Sequence, residues 1–184
     1  MKLKLVLHPN EWLEKQVQPF DFNNLDAKDV EKQMIEIMEK NAGVGLSANQ
    51  VGLDGQVFIL KPHKMEGFDE PFGIFNPEVI KIDDRVIEGE EGCLSYPGLY
   101  VKKKRPAMIR CNFQDPFGNS ITKRFSGISS RIFQHEFEHL EGGNFLEGVS
   151  RLALDNARRK QRNLLRRVKR EVQGRSKHGT GRKR

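Results

Sequence analysis

Cysteine is scarce. Cys93 and Cys111 are the only two in 184 residues, which excludes a disulfide framework and leaves each thiol to act singly, as core filler or as chemistry. Long apolar runs are missing as well. No stretch approaches the ~18–20 apolar residues that cross a bilayer, and Leu5-Val6-Leu7 is too short for the core of a secretory signal. Both absences point to a soluble protein of a reducing, cytoplasmic compartment, with no membrane partner. Internal repeats are absent too. Trp and Tyr are rare, at one and two, but 12 Phe join the aliphatics to make a hydrophobic share of 36%. With 31% charged residues the chain is more polar than average, yet it can build one domain with a core and is short for two.

Acidic residues are nearly missing from the C-terminal end. From Arg151 onward there are 14 Lys and Arg against Asp155 and Glu171, whereas the first 150 residues hold 18 basic and 23 acidic side chains. The net +7 is therefore a basic tail joined to an acidic body, and any polyanion contact belongs to the tail.

Periodicity sorts the chain into an α+β order. Residues 1–22 read as irregular structure. A helix is expected over 26–41, with Val30, Met34, Ile37 and Met38 on one stripe, Asn24 or Asp26 as cap, and Gly43 as the stop. Strand signals follow at 57–60, 79–82 and 107–111, and Asp115-Pro-Phe-Gly118 reads as a hairpin turn into 120–125. A second helix is expected over 127–141. A third starts after Ser150 and stops at Gly174, and the Gly, Lys, Arg and Ser of 175–184 have almost nothing to bury. The expected architecture is mostly antiparallel sheets around a central helix, plus a C-terminal helix. Residues 1–150 form the main domain, 151–173 a basic helix and 174–184 a disordered tail.

The second helix carries Gln134-His-Glu-Phe-Glu-His139. His135 and His139, four apart, stack on one helix face about 6 Å apart along the axis, where two imidazoles can share a divalent ion. Glu136 is turned about 100° from His135 and can reach a water on that ion. A catalytic site wants a third ligand and an open position. Gly142 fits one extended protease pattern, but Phe145 stands where its third His is needed. Asp155 and Glu171, the only acids after Glu147, lie in the Arg-rich helix. The remaining soft donor is Cys93, in Glu91-Gly-Cys-Leu-Ser95, whereas Cys111 reads as a small buried hydrophobe.

A third segment, Gly43-Val-Gly-Leu-Ser-Ala-Asn-Gln50, is either a helix stop followed by a loop or a close approach of backbone to a ligand. It is a poor phosphate loop, since no Lys-Ser/Thr follows. The Gln50 side-chain amide is a neutral donor suited to an oxyanion. Glu91 and Arg105 can pair to hold the cysteine segment, or can both be solvated.

Together these three segments resemble the peptide deformylases, whose motifs look like Gly-x-Gly-Leu-Ala-Ala-x-Gln, Glu-Gly-Cys-Leu-Ser and Gln-His-Glu-x-Asp-His-Leu. Leu7-His-Pro-Asn10 is similar to the family's opening, and the likeness covers about residues 1 to 170. The resemblance implies removal of the formyl group from N-formylmethionyl nascent chains. It makes Cys93, His135 and His139 the metal ligands and Glu136 the general base. The Gln50 amide and the Leu94 backbone N–H would hold the oxyanion. Gly43, Gly45, Gly98 and Leu99 would meet substrate backbone, and Val44, Ile128 and Ile132 would take the methionine side chain. Fe(II) is the implied ion, with zinc or nickel as replacements. A monomer is expected, and the basic helix is expected to touch ribosomal RNA near the nascent-chain exit. Ser47 and Glu138 stand where the family's motifs have Ala and Asp, and Asn10 where Asp is usual. Two other classes share parts of this pattern: a zinc endopeptidase with a different third ligand, and an RNA-binding module resting on the tail.

Overall fold

The computed structural model describes residues 2–178, with side chains through Glu171. Helix α1 (Ala27–Lys40) starts at Asp26, whose carboxylate accepts from the Lys28 and Asp29 amides and so satisfies donors that every helix start leaves free. Val30, Met34 and Met38 are buried along its inner stripe. The left-handed residue that ends it is Ala42 (φ 53°), one position before the expected Gly43, whose N–H then closes back on the Met38 carbonyl at 2.8 Å.

Two antiparallel sheets follow. The larger has the order β1 (Gly45–Ser47), β2 (Val57–Leu60), β3 (Phe72–Ile82), β6 (Met108–Gln114), β7 (Ser120–Ser126). The smaller is a ribbon of β4 (Val86–Gly92) and β5 (Tyr100–Pro106). The hairpin between β6 and β7 is the expected one: Asp115 Oδ1 accepts from the Phe117 and Asn119 amides, and Gly118 takes φ 82°. Alternation had marked only the last third of β3, because the strand bulges between Phe75 and Glu78 and the period of two breaks there. The ribbon gives little apolar signal because Glu88 faces Lys104 and Glu90 faces Lys102 across it, a pairing of charges rather than of hydrophobes.

Helix α2 (Gly127–Leu140) packs on β1, β2 and β7 of the large sheet and also on β5 of the ribbon, so it joins the two. Phe58, Phe125 and Phe133 meet beneath it, with Phe133 at 5.1 Å from Phe58 and 4.8 Å from Phe125, ring centre to ring centre. A second apolar cluster of Leu13, Tyr96, Leu99, Val101, Phe145 and Ala157 lies under the ribbon.

Helix α3 (Arg151–His178) begins where expected, with Ser150 Oγ accepting from the Ala153 amide at 3.3 Å. It does not stop at Gly174. One glycine in a helix interior costs only about 1 kcal/mol relative to Ala, too little to end a strong helix. The expected disordered tail is therefore helical as far as His178, and 179–184 lie outside the described residues. Among the described residues, no helix is long and apolar enough to cross a membrane.

Candidate metal centre

Helix α2 presents His135 and His139 on one face, with ring centres 5.1 Å apart, and both are buried. Cys93 comes from the other sheet. It follows directly on β4 and is held in a turn by the Tyr96 amide, which donates to the Cys93 carbonyl at 3.0 Å. The thiol reaches to 3.3 Å from His139 Nε2, and the three donor atoms all lie within 4.8 Å of one another. His135 Nδ1 sits 3.1 Å from Glu91 Oε2, which leaves its Nε2 free to face the same point. One soft sulfur and two imidazole nitrogens, the His135 ring oriented by Glu91, fit a divalent ion of the zinc or iron type. Other third ligands are missing here: Phe145, where the extended protease pattern needs a His, packs its ring 5.4 Å from that of His135 and has no donor atom, and Glu171 is exposed and paired with Arg167.

Glu136 is buried beside this trio, at the cavity wall. Its Oε2 accepts from Ser47 Oγ at 2.5 Å, and the same hydroxyl bonds the Glu136 carbonyl at 3.0 Å. Gly45 in β1 leaves the space: a Cβ there would fall 2.3 Å from Glu136 Oε1. Burial pushes the Glu136 carboxyl up, against the lowering influence of His135 and Ser47. Burial, then the charges of His135, Arg105 and Lys103, push His139 well down, so that it is neutral and a ready ligand. Burial opposes the charging of His135, but hydrogen bonds to Cys93 and Glu91 prevail and raise it to about 10. A proton and a metal ion compete for that imidazole, so metal binding releases the proton.

Glu91 and Arg105 are not solvated. Arg105 donates from Nε to Glu91 Oε1 at 3.0 Å and from Nη2 to Oε2 at 2.9 Å, both groups being buried. Arg131 adds a third bond, Nη1 to Glu91 Oε1 at 2.6 Å. Burial resists ionisation of Glu91, but His135 and Arg105 hold its carboxyl well below the usual range. Glu138 extends the network, accepting from Arg105 at 2.7 Å and from Lys103 at 2.6 Å. Arg131 escaped the sequence reading, although its place one helical turn before His135 puts it on the same side of α2. Ser47 stands out in the sequence only as a departure from the family's Ala, and nothing local ties it to an acid 89 residues away.

Cys93 and His135 open on a cavity of about 500 Å³, with His139 buried behind them. Gly43, Val44, Gly45, Gln50, Cys93, Leu94, Gly98, Leu99, His135 and Glu136 all line it. Gln50 is held at both ends: its Oε1 accepts from the Ser47 amide, and its Nε2 donates to Cys93 Sγ at 3.2 Å and Ser95 Oγ at 3.0 Å. Two expected residues are not there. Ile132, on the flank of α2, faces the core and is buried in it, and Ile128 lies about 10 Å along the axis from His135. Ile128 is 53% exposed and borders a separate recess with Ile87 and Arg131. Ile128 shares the helix face of His135, but the cavity does not extend that far along the axis.

A sequence model of the family described as polypeptide deformylase matches residues 2–154. The chain belongs to that family. It is similar to the peptide deformylase of Borreliella burgdorferi, 39% identical over 147 residues, 79% of this chain and 86% of the relative. It also resembles the chloroplastic peptide deformylase 1B of Oryza sativa, 38% identical over 159 residues, 85% of this chain. Of that plant relative's length the chain spans only 58%. The fold superposes on the crystal structure of peptide deformylase from Thermotoga maritima with a TM-score of 0.72 and 32% identity, covering 82% of this chain and 99% of the other.

Proposed function

We propose that this chain is a metal-dependent hydrolase that removes the formyl group from N-formylmethionyl peptides and releases formate. The observation that carries the reading is the meeting of Cys93, His135 and His139 with a buried carboxylate, Glu136, at the wall of a cavity lined by Gly43, Gly45, Gly92 and Gly98. Cys93 Sγ and the two imidazoles would hold Fe(II), with zinc or nickel as replacements, and the ion would supply Lewis-acid polarisation of water and of the formyl oxygen. Glu136 takes a proton from the attacking water. Water adds to the formyl carbon, the carbon–nitrogen bond breaks, and Glu136 returns the proton to the leaving nitrogen, giving formate and a free methionyl amine. The Gln50 amide and the Leu94 N–H serve the developing oxyanion. The backbone at 43–45 and 98–99 pairs with the peptide, which tolerates varied residues after the first, and Val44 flanks the methionine side chain. Residues 1–150 carry this chemistry. The basic helix beyond them contacts ribosomal RNA, and the protein works as a cytoplasmic monomer.

The test is release of formate from formyl-Met-Ala-Ser by metal-loaded protein, with and without chelator. Release that chelator abolishes and Fe(II) restores supports the reading. No release by the iron-loaded chain refutes it.

A further inference from the structure

The segment from Tyr96 to Tyr100 has two faces. One lines the metal cavity, and every residue of the segment contributes to that lining. The other faces helix α3. Gln161 Nε2 donates to the Pro97 carbonyl at 2.8 Å. Leu164 lies against Gly98, so close that a Cβ at Gly98 would sit 3.2 Å from Leu164 Cδ2. Ala157, 7% exposed, is buried in the cluster that holds Tyr96, Leu99 and Val101. These three α3 residues fall at spacings of four and three, one face of a helix.

The segment holds itself only weakly. Pro97 has no N–H to give, Gly98 adopts φ 73°, and within the segment a single turn bond runs from the Leu99 amide to the Tyr96 carbonyl at 3.1 Å. The His8 side supports its start, through ring stacking of His8 on Tyr96 at 4.6 Å and the His8 amide donating to the Ser95 carbonyl. The middle, Pro97–Gly98, meets the Gln161 and Leu164 side chains.

We infer that α3 is a brace for the peptide-binding wall, with Gln161 and Leu164 as positioning residues for substrate although neither lines the metal cavity. The inference rests on the function proposed above, because it assigns Gly98 and Leu99 to the peptide backbone. A wall freed at Pro97–Gly98 samples positions in which those backbone groups no longer meet the peptide, so affinity for substrate falls while the metal and Glu136 stay in place. The whole chain therefore depends on α3 for substrate capture, even though the chemistry lies in the sheets and α2.

The experiment compares full-length Gln161→Ala, Leu164→Ala and the double variant with the unaltered chain. Loss of one hydrogen bond or of packing at this point is expected to raise KM for formyl-Met-Ala-Ser about 3- to 10-fold, with kcat within about twofold and metal content unchanged. Formyl-methionine alone, which lacks the following residues, should show no such rise, and Leu164→Met should restore the tripeptide value. Hydrogen exchange of the Gly98–Tyr100 amides should quicken in the variants, a readout that needs no activity. If the unaltered chain releases formate but the variants keep its KM, the brace is refuted and the deformylase reading stands. If the unaltered chain releases none, that reading fails, and the kinetic role assigned to the brace falls with it. Unchanged exchange at Gly98–Tyr100 refutes the brace in either case.

Discussion

Gly45→Ala isolates the contribution of one missing methyl group. The new Cβ would fall 2.3 Å from Glu136 Oε1, 2.8 Å from its Cδ and 2.9 Å from its Cγ, so the carboxylate must retreat by about 1 Å to reach van der Waals distance. It cannot simply slide, because Oε2 is held by Ser47 Oγ and the side chain is enclosed. A misplacement of that size costs on the order of 100-fold in rate, and complete loss of a general base costs about 100- to 10,000-fold. We therefore expect kcat for formate release to fall at least 100-fold with metal content unchanged. Gly45 has no left-handed backbone angle, so stability should shift only by the overpacking cost of about 1–3 kcal/mol, offset in part by a less flexible unfolded chain. The assay is formate release by Gly45→Ala, Glu136→Ala and the double variant, each checked for bound metal. If Gly45 acts through Glu136, the double variant is no slower than Glu136→Ala alone. A Gly45→Ala protein with unaltered kcat would refute the reasoning, as would additive losses.

Two further outcomes follow from the titrating groups. Burial pushes the Cys111 thiol up to about 12, so it stays protonated and inert at neutral pH. Iodoacetamide should then modify metal-free native protein only at half-buried Cys93, and added zinc should protect it, as peptide mass mapping would show. Glu91 has its pKa depressed in the folded state, so the stability it contributes is fully present above the ordinary value of 4.5 and is lost as pH falls below it. Glu91→Gln should lower stability at pH 7 by about 3–5 kcal/mol, because Arg105 and Arg131 lose their carboxylate. Its thermal midpoint should also fall less steeply than that of the parent between pH 5 and pH 3, in roughly that window. Parallel pH profiles for the two metal-free proteins would contradict this role for Glu91.

What could be read from the sequence was what is local. His135, Glu136 and His139 are placed by helical spacing alone, and α1, with its Asp26 cap, is set by its stripe. Cys93 emerged by elimination among donor types, since no spacing rule links a residue after β4 to a helix 42 residues on. The tertiary contacts were illegible for the same reason. Ser47 meets Glu136 only because β1 lies along α2, and Gly45 matters only because of what it faces. Arg131 carries no signal in the sequence, and its role shows only where Glu91 lies beside it. Ile128 lies off the cavity because a helix face has a length as well as a direction, and Ile132 because it turns into the core. The error over Gly174 came from weighing a single residue against a long run of strong helix formers.

The sulfur and the imidazoles belong to different sheets' territories: the thiol hangs from the β4–β5 ribbon, while the rings ride on the helix packed on the five-stranded sheet. An ion gripped by all three is a clasp across the seam. It can close only on a chain whose halves have already come together, so an ion bound there would favour the folded state over the unfolded one. At a free-metal level of about 100 times the dissociation constant, the clasp adds about 2.7 kcal/mol to the folded state. Depriving the chain of such an ion would then withdraw part of its durability as well as a ligand of the cavity.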